Sequence, residues 1–207
     1  MTVSLTSPEA ICNVALQRIK FPQRIGSIWE GSRQSKACLD VYGQCRDDLL
    51  RSQDWGFARR DLDLTLLKQA PAGGYVPPTA WNPATNPALP WAFEYAYPAD
   101  SLRIRAIRKT DLFLVNYDPM DNRFTVSNDD DYTPAQKVIL TNVGPVAVAT
   151  YSGRITDPTT FDADFTEAFI EALARRLALL LSDAEAEKIA SEYEIKATAD
   201  ADSVQSG

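Results

Sequence analysis

The hydrophobic period of this chain changes twice along its 207 residues, and those two changes constrain the architecture more than any single motif. Up to about residue 58 the apolar side chains recur at helical spacing. From Arg59 they alternate, and after Asp157-Pro158 the helical spacing returns. A helix turns once in 3.6 residues and a strand alternates every two, so the chain reads as helices, then strands, then helices.

The first helix is predicted from Pro8 to Lys20, with Ile11, Ala15 and Ile19 four apart and Cys12 and Leu16 beside them. Its start has two readings: a capping box of Thr6 with Glu9, or Ser7 as cap with Pro8 in the first helical position. A second helix is predicted from Ser32 to Gln53 on the repeat Ala37, Val41, Cys45, Leu49. Gly43 in its middle is costly unless it permits close packing, and Trp55 and Phe57 read as core plugs at its exit. Past Pro158, Phe165, Phe169, Leu173, Leu177 and Leu181 recur at i+4. Ala186, Ile189, Tyr193 and Ala197 suggest a last helix.

Between these, Leu62, Leu64 and Leu66 alternate with Asp61, Asp63 and Thr65 as a half-buried strand would. Trp91, Phe93, Tyr95 and Tyr97 alternate likewise, and five further strands are expected at 102–108, 112–117, 123–126, 137–141 and 146–151. The expected fold is therefore α+β. Residues 1–58 and 155–207 form a helical bundle from both chain ends, and residues 59–154 form an inserted small antiparallel β sandwich or barrel. A segment with six prolines, residues 69–90, interrupts the strands; it reads equally as an extended contact arm carrying Tyr75 and Trp81 or as a floppy loop.

Composition narrows the chemistry. The chain contains no histidine, which removes Ser-His-Asp and Cys-His nucleophile pairs and the commonest general base. Three cysteines, Cys12, Cys38 and Cys45, argue against a disulfide framework, and without histidine or a C-x-x-C pair they read as buried apolar thiols instead of zinc ligands. No apolar run has the length of a membrane span, and the N-terminal residues lack the pattern of a signal peptide, so a cytosolic product is expected. Residues 1–110 carry a net charge of +4 and residues 111–207 a net charge of −11. So acidic a chain is a poor grip for DNA phosphates; the asymmetry suits head-to-tail contacts between copies, or simply a solvated surface.

Candidate sites are few. Asp129-Asp130-Asp131 is the one acidic run that could hold a cation, but it lacks the ligand spacing of a calcium loop and reads first as an exposed turn. Asp61 and Asp63 share a strand face, where a hydrolytic carboxylate pair competes with an ordinary solvated face. Arg103 and Arg105 share a face that could bind phosphate or an acidic neighbour. The aromatic face Trp91 to Tyr97 could stack bases but reads first as sheet core. No phosphate-binding, dinucleotide or hydrolase motif is present, so no catalytic residue, cofactor or metal is expected.

Four stretches in order carry a family likeness. They are Ala10 to Ile19; Ala37-Cys38 with Tyr42 to Leu50 and Trp55-Gly56-Phe57-Ala58; Tyr95-Ala96-Tyr97-Pro98-Ala99-Asp100-Ser101-Leu102-Arg103; and Tyr151, Asp157-Pro158, Phe161-Asp162 and Phe165 to Ala178. On these the chain resembles the tail tubular protein A family, the head-to-tail adaptors of short-tailed bacteriophages. The resemblance implies a non-enzymatic virion protein, assembled in host cytoplasm as a dodecameric homo-oligomer between the portal protein and the tail nozzle protein. Such a ring encloses double-stranded DNA for ejection without reading its sequence, and needs no membrane. The alternative is another phage connector, the head-closure or neck protein of a long-tailed phage. A ring interface joins one patch to a different patch; the arginines Arg46, Arg51, Arg175 and Arg176 are the expected subunit or portal contacts, and Tyr75 and Trp81 the expected contacts to the nozzle or a neighbour.

Overall fold

The computed structural model describes residues 5–73, 75, 80–109 and 123–181. The chain divides into two compact units, Met1–Leu49 with Ile155–Gly207, and Leu50–Arg154.

In the first unit, helix α1 spans Pro8–Arg18. Of the two possible caps, the one used is Ser7, whose hydroxyl accepts from the Ala10 N–H at 3.2 Å with Pro8 just inside the helix. Glu9 turns instead to the Ile28 N–H. Lys20, at a φ of 59°, ends the helix in the left-handed region. The irregular stretch that follows is held by side chains: the Asn13 amide donates to the Ile25 carbonyl at 2.9 Å and accepts from the Ile25 N–H at 2.8 Å. Helix α2 is Arg33–Ser52, and the Ser32 hydroxyl accepts from the Ser35 N–H at its start. A third helix, α3, covers 163–181 and begins where Asp162 accepts from the Phe165 N–H at 2.7 Å. Ile11, Leu16, Cys38, Phe165, Phe169 and Leu173 are buried in this unit. Tyr42 meets Phe169 edge to face at 5.0 Å between ring centroids.

The helical bundle expected from both chain ends is not what the chain forms. The framework among the described residues is seven strands in two antiparallel sheets against three helices. A bundle needs an apolar stripe along the length of each helix. Helix α1 offers only Ile11, Cys12, Ala15 and Leu16, and the chain after it is irregular, not helical. The helix expected over Ala186 to Ala197 lies outside the described residues.

The second unit holds both sheets. Strands β1 (Arg59–Asp63), β7 (Ala147–Gly153) and β4 (Ser101–Lys109) form one, in that order. Strands β2 (Leu66–Gln69), β3 (Phe93–Ala96), β6 (Gln136–Thr141) and β5 (Phe124–Asp129) form the other. Their shared core contains Tyr95, Ile104, Ile107, Ile139, Ala149 and Tyr151. The Tyr95 hydroxyl, buried there, donates to the Val143 carbonyl at 2.9 Å.

The alternating leucines do not form one half-buried strand. The chain passes from one sheet to the other between them, leaving Leu62 on the fully exposed edge strand β1, Leu64 buried in the core and Leu66 at the start of β2. Charged Arg59, Arg60, Asp61 and Asp63 guard that edge against pairing with another chain. The strand expected at 112–117 lies outside the described residues.

Arg105 binds residues 50–53, at the end of α2, into the β unit. Its guanidinium donates to the carbonyls of Leu50 (3.3 Å), Arg51 (3.0 Å) and Gln53, and to the Ser152 hydroxyl at 2.9 Å. These are carbonyls that a helix end leaves without partners, and a cation is the favoured group to take them.

Gly43 is not there for close packing, since a β-carbon on it meets nothing within 4 Å. Gly43→Ala is therefore expected to raise unfolding free energy by about 0.5–1 kcal/mol in a denaturant titration, the usual helical preference for alanine. Tyr95→Phe, which strands the Val143 carbonyl, is expected to lower it by about 1 kcal/mol in the same measurement.

Candidate functional site: a buried charge cluster beneath the proline-rich segment

Strand alternation sends Tyr95 into the core and its neighbour Glu94 to the opposite face of the four-stranded sheet. Glu94 lies directly across from Lys68 of β2 and from Leu140 of β6. That outer face is covered, because part of the proline-rich segment lies on it. The Asn86 amide donates to the Gln69 carbonyl, and the Lys68 ammonium donates to the Pro83 carbonyl at 2.9 Å. Trp81 is fixed through its indole N–H to the Pro87 carbonyl at 2.9 Å. Beneath this cover is a partly open cavity of about 210 Å³, whose lining includes Lys68, Trp81, Glu94 and Asp129 to Asp131.

The charges in it are unusually buried. Lys68 is 8% exposed and Glu94 is 3% exposed, whereas Lys and Glu are almost never that deep unless paired. The Lys68 ammonium reaches Asp129 at 2.5 Å and Asp131 at 2.9 Å, and lies 5.5 Å from the Tyr132 ring centroid. Burial works against its charge, but the bonds to Asp129 and Asp131 outweigh burial and raise its pKa. Glu94 behaves oppositely. Burial, and then the neighbouring Asp129, push its carboxyl up to about 7. Burial also opposes the charge of Asp129, yet Lys68 and the Asp131 N–H hold it below its ordinary value. Near neutrality Glu94 is thus half protonated and donates to Asp129, while its Oε1, buried in the cavity wall, has no hydrogen-bond partner.

Two residues of the acid run, Asp130 and Asp131, form the expected exposed turn, and Asp129 does not. Asp130 is exposed, but the Asp129 side chain is only 12% exposed and ends β5 against Lys68. Neither Lys68 nor Glu94 was singled out by sequence. Their signal was present as two charges on strands that pair, but it needs the strand register to be visible.

The expected contact residues fall into different settings. Tyr75 is half-buried with its hydroxyl enclosed and lacking a partner, and Trp81 is 42% exposed at the cavity. In the helical unit, Arg46 is folded onto Asp47 at 2.7 Å with only 12% of its side chain exposed, and Arg176 pairs with Asp48 at 2.7 Å. Arg175 is exposed. Arg51 is exposed in the β unit, directed to the Leu102 carbonyl at 3.4 Å.

The other candidates are absorbed by the fold. Asp61 accepts from Thr150 at 2.5 Å and pairs with Arg108 at 2.7 Å, which removes it from any carboxylate pair with Asp63. Arg103 joins Arg105 on the Arg51 carbonyl. Tyr95 is core, with Phe93 and Tyr97 packed against it. Cys12, Cys38 and Cys45 are buried free thiols, Cys12 and Cys38 in mutual contact. Among the described residues no cluster of three or more metal-ligating side chains has the arrangement of an ion site, and no helix is long and apolar enough to cross a membrane. Compared with known protein families and with curated proteins, the chain matches none of them.

Two outcomes follow from this charge cluster. Lys68→Met leaves the carboxylates without their counter-charge and is expected to cost about 3–5 kcal/mol of stability in urea unfolding at neutral pH. Glu94 binds its proton more tightly folded than unfolded. Its contribution is therefore full below the ordinary carboxylate range and is lost as pH rises through about 7. Unfolding measured from about pH 5 to 8 should show that decline, and Glu94→Gln should flatten it by on the order of 3 kcal/mol.

Proposed function

We propose that this chain is a non-enzymatic structural subunit of a short-tailed phage virion, a head-to-tail adaptor ring joining the portal to the tail nozzle around the DNA. The observation that carries the reading is that the family-like stretches are used on one another. Arg18 of the opening stretch pairs with Glu167 (2.5 Å) and Glu171 of the last. Asp48 of the second pairs with Arg176 of the last at 2.7 Å. In the β unit, the Tyr151 hydroxyl donates to Asp100 of the third stretch at 3.0 Å. Residues that resemble a family only as scattered words thus form joints, as a shared frame requires.

The surface chemistry supports assembly. Trp29 is 75% exposed on the helical unit, and burying such a ring in a neighbour is worth a few kcal/mol at roughly 25 cal/mol per Å². Arg175 supplies an exposed cation on the same unit. The acidic excess of residues 111–207 suits a conduit that must not hold DNA phosphates.

The test is to mix the purified chain with the portal protein of the same virus and measure the mass of the product. The expected result is one complex with the mass of a portal ring plus about twelve adaptors, the ring being closed and heterologous. Arg175→Glu and Trp29→Ser should each weaken that complex while leaving thermal unfolding of the free chain unchanged. Failure to associate with portal or any other tail-vertex protein overturns the reading.

A further inference from the structure

We propose that the cavity between Trp81 and Glu94 is a binding site for a guanidinium group, an arginine side chain presented by a protein partner. The inference rests on the second unit alone and stands whether or not the adaptor reading does.

Charge is the first reason. Among the described residues, Glu94, Asp129, Asp130 and Asp131 line one cavity with a single cation, Lys68. Asp129, Asp130 and Asp131 alone outnumber that ammonium, an excess that one further cation relieves. Asp130 is exposed at the site and supplies accessible negative charge. An unmet hydrogen bond is the second reason. Glu94 is 3% exposed, its Oε1 has no partner, and it belongs to the cavity wall. A buried carboxyl oxygen left without a donor is costly, and an entering N–H group removes that cost.

The ring of Trp81 selects the kind of cation. It lines the cavity, is 42% exposed, and is fixed by its bond to the Pro87 carbonyl. Indole faces attract cations, and the flat, weakly hydrated guanidinium stacks on them while its N–H fork engages carboxylates. A bare metal ion is disfavoured because the ammonium of Lys68 already stands between Asp129, Asp131 and the Pro83 carbonyl. The volume of about 210 Å³ is below the roughly 300–1,000 Å³ of pockets that enclose whole small molecules. It suits one side chain.

The probe is N-butylguanidinium, titrated into the full chain and followed by the Trp81 indole N–H resonance, which is assigned as the one lost in Trp81→Phe. A saturable shift is expected, with N-butylurea, the uncharged analogue of the same shape, producing none. Glu94→Gln should weaken binding about tenfold, the worth of one charged hydrogen bond. Asp130→Asn, at an exposed position with no part in holding the fold, should weaken it several-fold, and guards against a loss caused by misfolding in the first variant. Equal binding of N-butylurea, unaltered binding in both variants, or calcium moving the same resonance in place of the guanidinium would each overturn the proposal.

Discussion

One ammonium group, that of Lys68, holds the outer face of the four-stranded sheet together. A small antiparallel sheet has two faces, and only one of them can be closed by a partner sheet. Here the inner face closes on Tyr95, Ile139 and the residues of β4 and β7 packed with them. The outer face is closed by polar bonds instead. Lys68 joins a strand, a carbonyl of the proline-rich segment, and two carboxylates at the end of β5, which lie 15, 61 and 63 residues away in sequence. With that ammonium in place, Asp129 can stay ionised, while burial and the neighbouring Asp129 raise the Glu94 carboxyl against the pull of Lys68. Without it the same surface would be four carboxyl groups and a string of prolines.

The cluster also accounts for the character of the proline-rich segment. Prolines restrict the backbone before anything binds, so fewer conformations are lost when the segment settles on the sheet. Its part between Trp81 and Pro90 is tied by the Asn82–Asn86 turn and the Trp81–Pro87 bond. This is an arm bound back on its own unit, with Trp81 still presenting ring surface. In both units, charges that could have been surface decoration are used as joints: Arg105 on helix-end carbonyls, Arg18 on two glutamates, and Arg176 on Asp48. Such joints fix geometry more than they add stability, because exposed ion pairs contribute little.

Periodicity made the local elements legible. The first two helices, the buried faces of Phe165 to Leu181 and the core role of Tyr95 follow from spacing that a strand or helix cannot hide. The choice between Ser7 as cap and the Thr6–Glu9 capping box could not be read, because Glu9 has a distant partner in the Ile28 N–H. The leucine alternation misled, since period two persists across a change of sheet at Leu64 and Thr65. The helical bundle misled for a related reason: amphipathic helices at both ends do not say what they pack on. The charge cluster was least visible. Lysine on a four-residue strand and three aspartates in a row both look solvated until pairing brings β2, β3 and β5 into one sheet.

The claim that Lys68 pins this cover to the sheet is tested most directly by amide hydrogen exchange in Lys68→Met. The bonded amides at Asn82, Ala84, Thr85 and Asn86 should fall to the exchange of open chain, while amides of the central strand β7 stay protected above them. Protection at 82–86 that survives the substitution, falling no further than that of β7, would contradict the account.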